Sequence, residues 1–135
     1  MRNWTGPILM LGLFASAAEA HHSLSNYDHG RNVSAEGTIE EYHFTNPHPF
    51  LMIGVTGPSG VRESWRLEMD NLHELVEVGI SKTTFMPGDR VTISGWPDRT
   101  EPKNIYLRRL DRPSDGLRYE QIGSRPRLTH TGEPG

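Results

Sequence analysis

The sequence predicts a mainly β protein, a small five-stranded barrel with one short helix between the third and fourth strands. Five segments between residues 33 and 110 alternate apolar and polar residues with the two-residue period of a half-buried strand. A single segment, 71–79, has helical spacing, and it follows the third strand. This element order is that of an OB-type barrel, in which such a helix closes one end. A β-sandwich with a helical insert is the alternative.

The first twenty residues have the three parts of a secretory signal peptide. Arg2 gives a positive start, residues 7–15 form an apolar run, and Ala18 and Ala20 form a small-x-small cleavage pattern. The apolar run is well short of the roughly 20 residues that a membrane-spanning helix needs. Cleavage after Ala20 is therefore expected to leave a periplasmic or secreted protein without a membrane segment.

The mature chain is expected to divide into three parts. Residues 21–32 are polar and predict an N-terminal arm, and residues 33–110 predict the barrel domain. Residues 111–135 are rich in Pro, Gly, Ser and Arg with few apolar residues, which predicts a flexible C-terminal tail.

The barrel elements can be placed in order along the chain. Strands are predicted over 33–44, 50–55, 61–69, 90–96 and 104–110. Gly37, within the first strand, is expected to mark a bulge. In the helix, Asn71 is the expected N-cap, paired with Glu74 as in a capping box, and Gly79 is the expected terminator. Because a helix of about two turns is unstable alone in water, it is expected to pack on the strands.

Composition excludes several kinds of chemistry. The chain of 135 residues has no cysteine, which excludes disulfides, zinc–thiolate sites and thiol catalysis. Its formal charge of −3 disfavours binding to nucleic acid. No nucleophile elbow and no Gly-rich phosphate loop is present, so no catalytic residue is predicted and enzyme activity is left open.

Four histidines form the predicted metal site: His21, His22, His43 and His48. After cleavage, His21 would offer both its α-amino group and its imidazole, two of the three nitrogens of a histidine brace. His48 is the expected third ligand, with His22 or His43 as alternates. If residues 44–47 form a hairpin loop, His43 and His48 become cross-strand partners with Cβ atoms about 5 Å apart.

Copper is the expected metal, because it stands highest in the divalent affinity order and Cu(II) favours a planar nitrogen set. A rival chelate is open to the same terminus: the amine, the next amide nitrogen and the ring of His22 would bind copper without help from the fold. Either mode needs a deprotonated amine, so binding is expected to weaken as the pH falls. His29, in the arm, is a reserve ligand.

Several motifs occur in an order that resembles a family of small exported bacterial proteins known as a domain of unknown function. They are the Ala20-His-His-Ser23 start, the strand with Gly37-Thr38, Thr45-Asn-Pro-His48, Trp65-x-Leu-Glu-Met69 and Pro87-Gly-Asp-x-Val91-Thr-x-x-Gly95. The resemblance covers roughly residues 20–110 and implies a periplasmic, β-rich protein without implying an activity. Pro49 and Phe50 depart from the family pattern, which leaves the hairpin register open.

Two functions follow from these observations. The first is a periplasmic copper-binding protein for carriage or buffering, whose partners are the metal ion and a periplasmic protein that receives it. The alternative is a metal-free OB-type module that binds a partner protein or small ligand on its barrel face. In that case Trp65 or Tyr42 is expected to line an exposed groove.

Overall fold

The computed structural model describes residues 22–131, which form two short helices and seven strands. The helices are α1 (His22–Ser25) and α2 (Leu72–Glu77). The strands are β1 (Val33–His43), β2 (Phe50–Thr56), β3 (Arg62–Glu68), β4 (Arg90–Pro97), β5 (Asn104–Arg112), β6 (Leu117–Ile122) and β7 (Arg125–His130). Neither helix is long and apolar enough to span a membrane.

Strands β1 to β5 form a closed barrel, which confirms the predicted fold. β1 pairs antiparallel with β2 and β4, β2 pairs with β3, and β4 pairs with β5. The parallel pairing of β3 with β5 closes the ring. The apolar face of each strand points into this barrel, where Leu51, Ile53, Leu67, Ile93 and Leu107 are almost fully buried.

The bulge expected at Gly37 lies further along β1, between Ile39 and Glu41. Gly37 is needed for a different reason. A Cβ atom at this position would lie 2.7 Å from the carbonyl oxygen of Gly54, so β1 and β2 approach here more closely than a side chain permits. A residue without a side chain is therefore required at position 37 for this close approach of the two strands.

The helix between β3 and β4 is present as predicted and packs on the barrel core. The Asn71 side chain accepts a hydrogen bond of 3.0 Å from the Glu74 backbone, which confirms the N-cap. Gly79 ends the helix with a φ of 92°. Leu75, on the inner face of α2, is completely buried and packs into the barrel core.

The flexible tail predicted from residue 111 is corrected by the structure. β5 continues to Arg112, and β6 and β7 add an antiparallel hairpin to its second half. Leu117 and Tyr119 from this hairpin are buried with the barrel core. The hairpin therefore completes the core and is part of the domain.

Arg112 holds this hairpin to the barrel. Its guanidinium donates to Asp89 at 2.8 Å, to the two carboxylate oxygens of Asp115 at 2.9 and 2.7 Å, and to the Thr84 carbonyl at 2.6 Å. Only 13% of the Arg112 side chain is exposed. The guanidinium holds the pKa of the Asp115 carboxyl at about 2, below its ordinary value.

Candidate functional site

The structure describes the side chains of two of the four histidines in the predicted metal site, His43 and His48. His21 lies outside the described residues, and so does the side chain of His22, whose backbone begins α1. His43 ends β1, and His48 lies in the loop between β1 and β2.

The expected pairing of His43 with His48 is wrong, because the cross-strand partner of His43 is Phe50. Pro49 is buried, and its carbonyl accepts a hydrogen bond of 2.9 Å from the Met69 backbone, so the loop extends to this residue. The His43 ring stacks on Phe50 with 4.3 Å between ring centroids, and its Nε2 lies 2.6 Å from Glu41. These contacts hold the ring on the strand surface.

His48 is half-buried and has a different environment. Its Nδ1 lies 3.1 Å from the carbonyl oxygen of Met69. A carbonyl can only accept, so Nδ1 carries the proton of this hydrogen bond, and in the neutral imidazole Nε2 keeps its lone pair. This is the arrangement in which proteins hold a histidine that coordinates a metal through Nε2.

The three remaining histidines lie apart from one another. His29 donates from Nε2 to the Leu24 carbonyl at 2.9 Å, and His73 pairs with Glu77 on the exposed surface of α2. His130 ends β7. Among residues 22–131, no group of three or more histidine, aspartate or glutamate side chains is placed to hold a metal ion.

The N-terminal arm is fixed to the barrel through Tyr27, which is only 4% exposed. The Tyr27 hydroxyl donates to Glu68 at 2.7 Å, and its backbone forms a β-bridge with Asp98. Its ring also packs on Tyr106, with centroids 5.6 Å apart. The arm therefore crosses the outer face of β3 and β5 instead of extending into solvent.

Beneath the arm lies a cleft of about 290 Å³. We call it the arm cleft and define it by six aromatic and charged side chains on its walls: His29, Asp70, Glu74, Trp96, Tyr106 and Arg108. Leu24 of α1, Gln121 of β6 and the turn residues Gly123 and Ser124 complete the lining. Its size is at the lower limit for a pocket that binds a small molecule.

Planar side chains stack along one wall of the arm cleft. The His29 ring lies on Trp96 with centroids 4.1 Å apart, and the Arg108 guanidinium lies 4.2 Å from the Trp96 ring centre. Tyr106 adds a third ring, 5.8 Å from Trp96. This wall is apolar along the rings and positively charged at Arg108.

The carboxyl groups of Asp70 and Glu74 provide negative charge in the arm cleft. Asp70 accepts a hydrogen bond of 2.6 Å from Gln121, whose own carbonyl oxygen accepts one of 2.9 Å from Tyr119. The hydrogen bond between Glu74 and Asp70 raises the pKa of Glu74, with further contributions from burial and from the Asp70 charge. Excess negative charge is thus concentrated where the end of β3 meets α2.

The aromatic residues expected to line a groove have other roles. Trp65 is half-buried and packs against the core, and Tyr42 donates from its hydroxyl to the Ser81 carbonyl at 3.0 Å. Trp96 is instead the tryptophan of the cleft. The sequence contains one indication of this role, because Trp96 is in the outward phase of β4, opposite Val91 and Ile93.

A family model described as a family of unknown function (DUF6152) matches residues 10–105 of the chain. No curated protein matches it. The matched range contains the arm, β1 to β4 and every charged or aromatic wall residue of the arm cleft except Tyr106 and Arg108.

Proposed function

The chain belongs to this family of unknown function, and from that premise we propose that its processed form is a periplasmic metal-binding protein for carriage or buffering of copper. The site consists of the α-amino and imidazole nitrogens of His21 together with Nε2 of His48. Two of these nitrogens come from a residue outside the described range, so the proposal depends on cleavage after Ala20.

The observation that carries the proposal is the hydrogen bond from His48 Nδ1 to the Met69 carbonyl, at 3.1 Å. It fixes the ring orientation and the tautomer before any metal arrives. A pre-oriented imidazole loses little freedom on coordination, and its Nδ1 partner raises the basicity of Nε2. Of the two fold histidines considered as ligands, His48 is the better one, because the contacts of His43 with Phe50 and Glu41 already hold that ring.

The anchoring of the arm supports a meeting of His21 with His48. Tyr27 donates to Glu68, and His48 donates to the next residue, Met69. His21 directly precedes α1 (His22–Ser25), whose rise of about 1.5 Å per residue keeps the segment before Tyr27 short. The arm is therefore fixed at the end of β3, next to Met69, which orients His48.

The expected chemistry is selective for copper and sensitive to pH. An all-nitrogen set suits Cu(II) better than the other divalent metals of the first transition row. The α-amino group, with an ordinary pKa of about 7.7–8.0, must lose its proton to coordinate. Affinity should therefore fall as the pH is lowered through this range.

The test compares Cu(II) affinity, measured by competition with a chelator, between the protein that begins at His21 and the same protein with its α-amino group acetylated. Acetylation blocks the amine nitrogen without adding a residue, so we expect affinity to fall at least about tenfold. Equal Cu(II) affinity in the two proteins would show that the histidine brace does not form. The N-terminal mass of the protein exported by cells that express the whole chain tests the cleavage itself.

A second pair of variants tests the fold ligand. His48→Gln should weaken Cu(II) binding about 10- to 100-fold and change the nitrogen hyperfine pattern in the electron paramagnetic resonance spectrum. The matched control is His73→Gln, since His73 is exposed on α2 and pairs only with Glu77 in the described structure. If His48→Gln binds like the control, the rival chelate with His22 is the copper site.

A further inference from the structure

The arm cleft has two opposite charges that could pair with each other and do not. β3 and β5 run parallel, with Glu68 opposite Tyr106. Asp70 follows the end of β3, and Arg108 lies at the bulge of β5, and both side chains line the arm cleft. Despite this, Asp70 accepts from Gln121, and Arg108 lies over Trp96.

Arg108 is half-buried, and it takes part in none of the ion pairs formed among residues 22–131. Its neighbour Arg109, by comparison, pairs with Asp111 at 2.7 Å. The N–H groups of Arg108 are thus held at the edge of a cleft, where a ligand carboxylate can receive them in a bidentate hydrogen bond.

At the other end, Asp70 and Glu74 have more negative charge than their surroundings neutralise. Their mutual contact raises the pKa of Glu74, which means that the pair resists holding two charges. A cationic group placed between the two carboxylates would relieve this repulsion. Between the two charged ends, Trp96, Tyr106 and Leu24 provide an apolar surface.

We propose that the arm cleft binds a small zwitterion with an apolar body, namely a free α-amino acid of about the size of leucine. The carboxylate pairs with Arg108, the ammonium group lies at Asp70 and Glu74, and the side chain contacts the rings of Trp96 and Tyr106. The cleft volume of about 290 Å³ suits a ligand of this size and not a folded partner. This site shares no residue with the proposed copper site and uses only described residues.

The test is a titration of the protein isolated after expression of the whole chain, in buffer with a chelator, followed by the indole N–H resonance of Trp96. The probes are L-leucine and its two matched halves, 3-methylbutylamine, which lacks the carboxylate, and 4-methylpentanoate, which lacks the amine. We expect a saturable shift with leucine below about 10 mM and at least about tenfold weaker binding of each half.

Variants distinguish a loss of leucine recognition from a general loss of the folded structure. Glu74→Gln and Arg108→Gln should each weaken leucine binding about tenfold or more, and Arg108→Lys should restore part of it. Glu77→Gln, one turn away on α2, is the matched control and should bind normally. Retention of the Trp96 resonance in each variant shows that the cleft is folded.

Three outcomes would overturn the proposal. They are no saturable shift with leucine, equal affinity for leucine and one of its halves, and unchanged binding in Arg108→Gln. An additional result would assign the cleft differently: if Glu74→Gln lowers the pKa of the protein's own α-amino group, the terminus of the chain is the occupant. Because no copper is present in these measurements, their failure leaves the copper titration unaffected.

Discussion

Replacing Arg112 with methionine should loosen the β6–β7 hairpin from the barrel. Methionine keeps much of the apolar length of the side chain and removes all the charged hydrogen bonds. Arg112 is 13% exposed, and its partners Asp89 and Asp115 are 23% and 44% exposed. The site is therefore intermediate between a buried and a surface ion pair.

The expected loss of stability follows from the intermediate exposure of these three side chains. Removing one partner of a fully buried pair costs about 3–5 kcal/mol, and removing a surface pair costs about 0–1 kcal/mol. Asp89 and Asp115 each keep one backbone donor, at Met86 and Leu117, which limits the penalty of leaving them without Arg112. We expect the free energy of unfolding to fall by about 2–3 kcal/mol, which lowers the Tm by roughly 8–12 °C.

The assay is urea and thermal unfolding followed by circular dichroism, with amide hydrogen exchange to locate the effect. Exchange should accelerate most in β6 and β7. Arg90→Met is the control, because Arg90 and its partner Glu36 are 78% and 69% exposed and their loss should cost less than about 1 kcal/mol. A loss of stability in Arg112→Met no larger than that of the control would refute the reasoning.

The pH dependence gives a second check on the same variant. The pKa of Asp115 is about 2 in the folded protein, below its ordinary value of 3.8. A lowered folded pKa contributes stability above the ordinary value and loses it as the pH falls through the folded one. The stability difference between wild type and Arg112→Met should therefore be complete above about pH 4 and shrink towards pH 2.

Three further predictions concern the barrel. Gly37→Ala places a Cβ 2.7 Å from the Gly54 carbonyl and should cost about 1–3 kcal/mol, whereas Gly30→Ala, with its nearest atom at 3.4 Å, should be nearly neutral in urea unfolding. Asn71→Ala removes the α2 cap and should cost about 1 kcal/mol in the same assay, and no loss would contradict the cap. Burial raises the pKa of all four tyrosines above 10.0, so their stabilising effect is present below pH 10 and is lost above it. Absorbance at 295 nm should stay flat through pH 10 until the protein unfolds, and a folded-state midpoint near 10 would contradict this.

The barrel could be predicted from the sequence because apolar and polar residues alternate along much of its five strands, although bulges interrupt the alternation in β1 and β5. In the β6–β7 hairpin, β6 also alternates buried with less buried residues, but its third buried position holds the polar residue Gln121. Pro126 lies within β7, where it removes a backbone donor. Gln121 donates to Asp70, which is 51 residues away, so a local pattern could not reveal why this polar residue is buried.

The candidate site was less predictable for a related reason. The register of the first hairpin depends on Pro49, which contacts Met69 across the barrel end, and not on the turn residues alone. The arm cleft is assembled from the arm, β4, β5 and α2, whose members are close only after the barrel has closed. Individual residues such as Trp96 and Asp70 can be noted in the sequence, but their proximity follows from the parallel pairing of β3 with β5.

β5 belongs to two units at once: its first residues join β3, and its last residues join β6. A chain cut between β5 and β6 would lack Leu117 and Tyr119, and Leu110, the strand partner of Tyr119, would lose part of its cover. The shortest version of the chain that keeps a complete interior must run to His130. An affinity tag is accordingly better placed after that residue than at the processed amino terminus, where it would block the nitrogen on which copper capture depends.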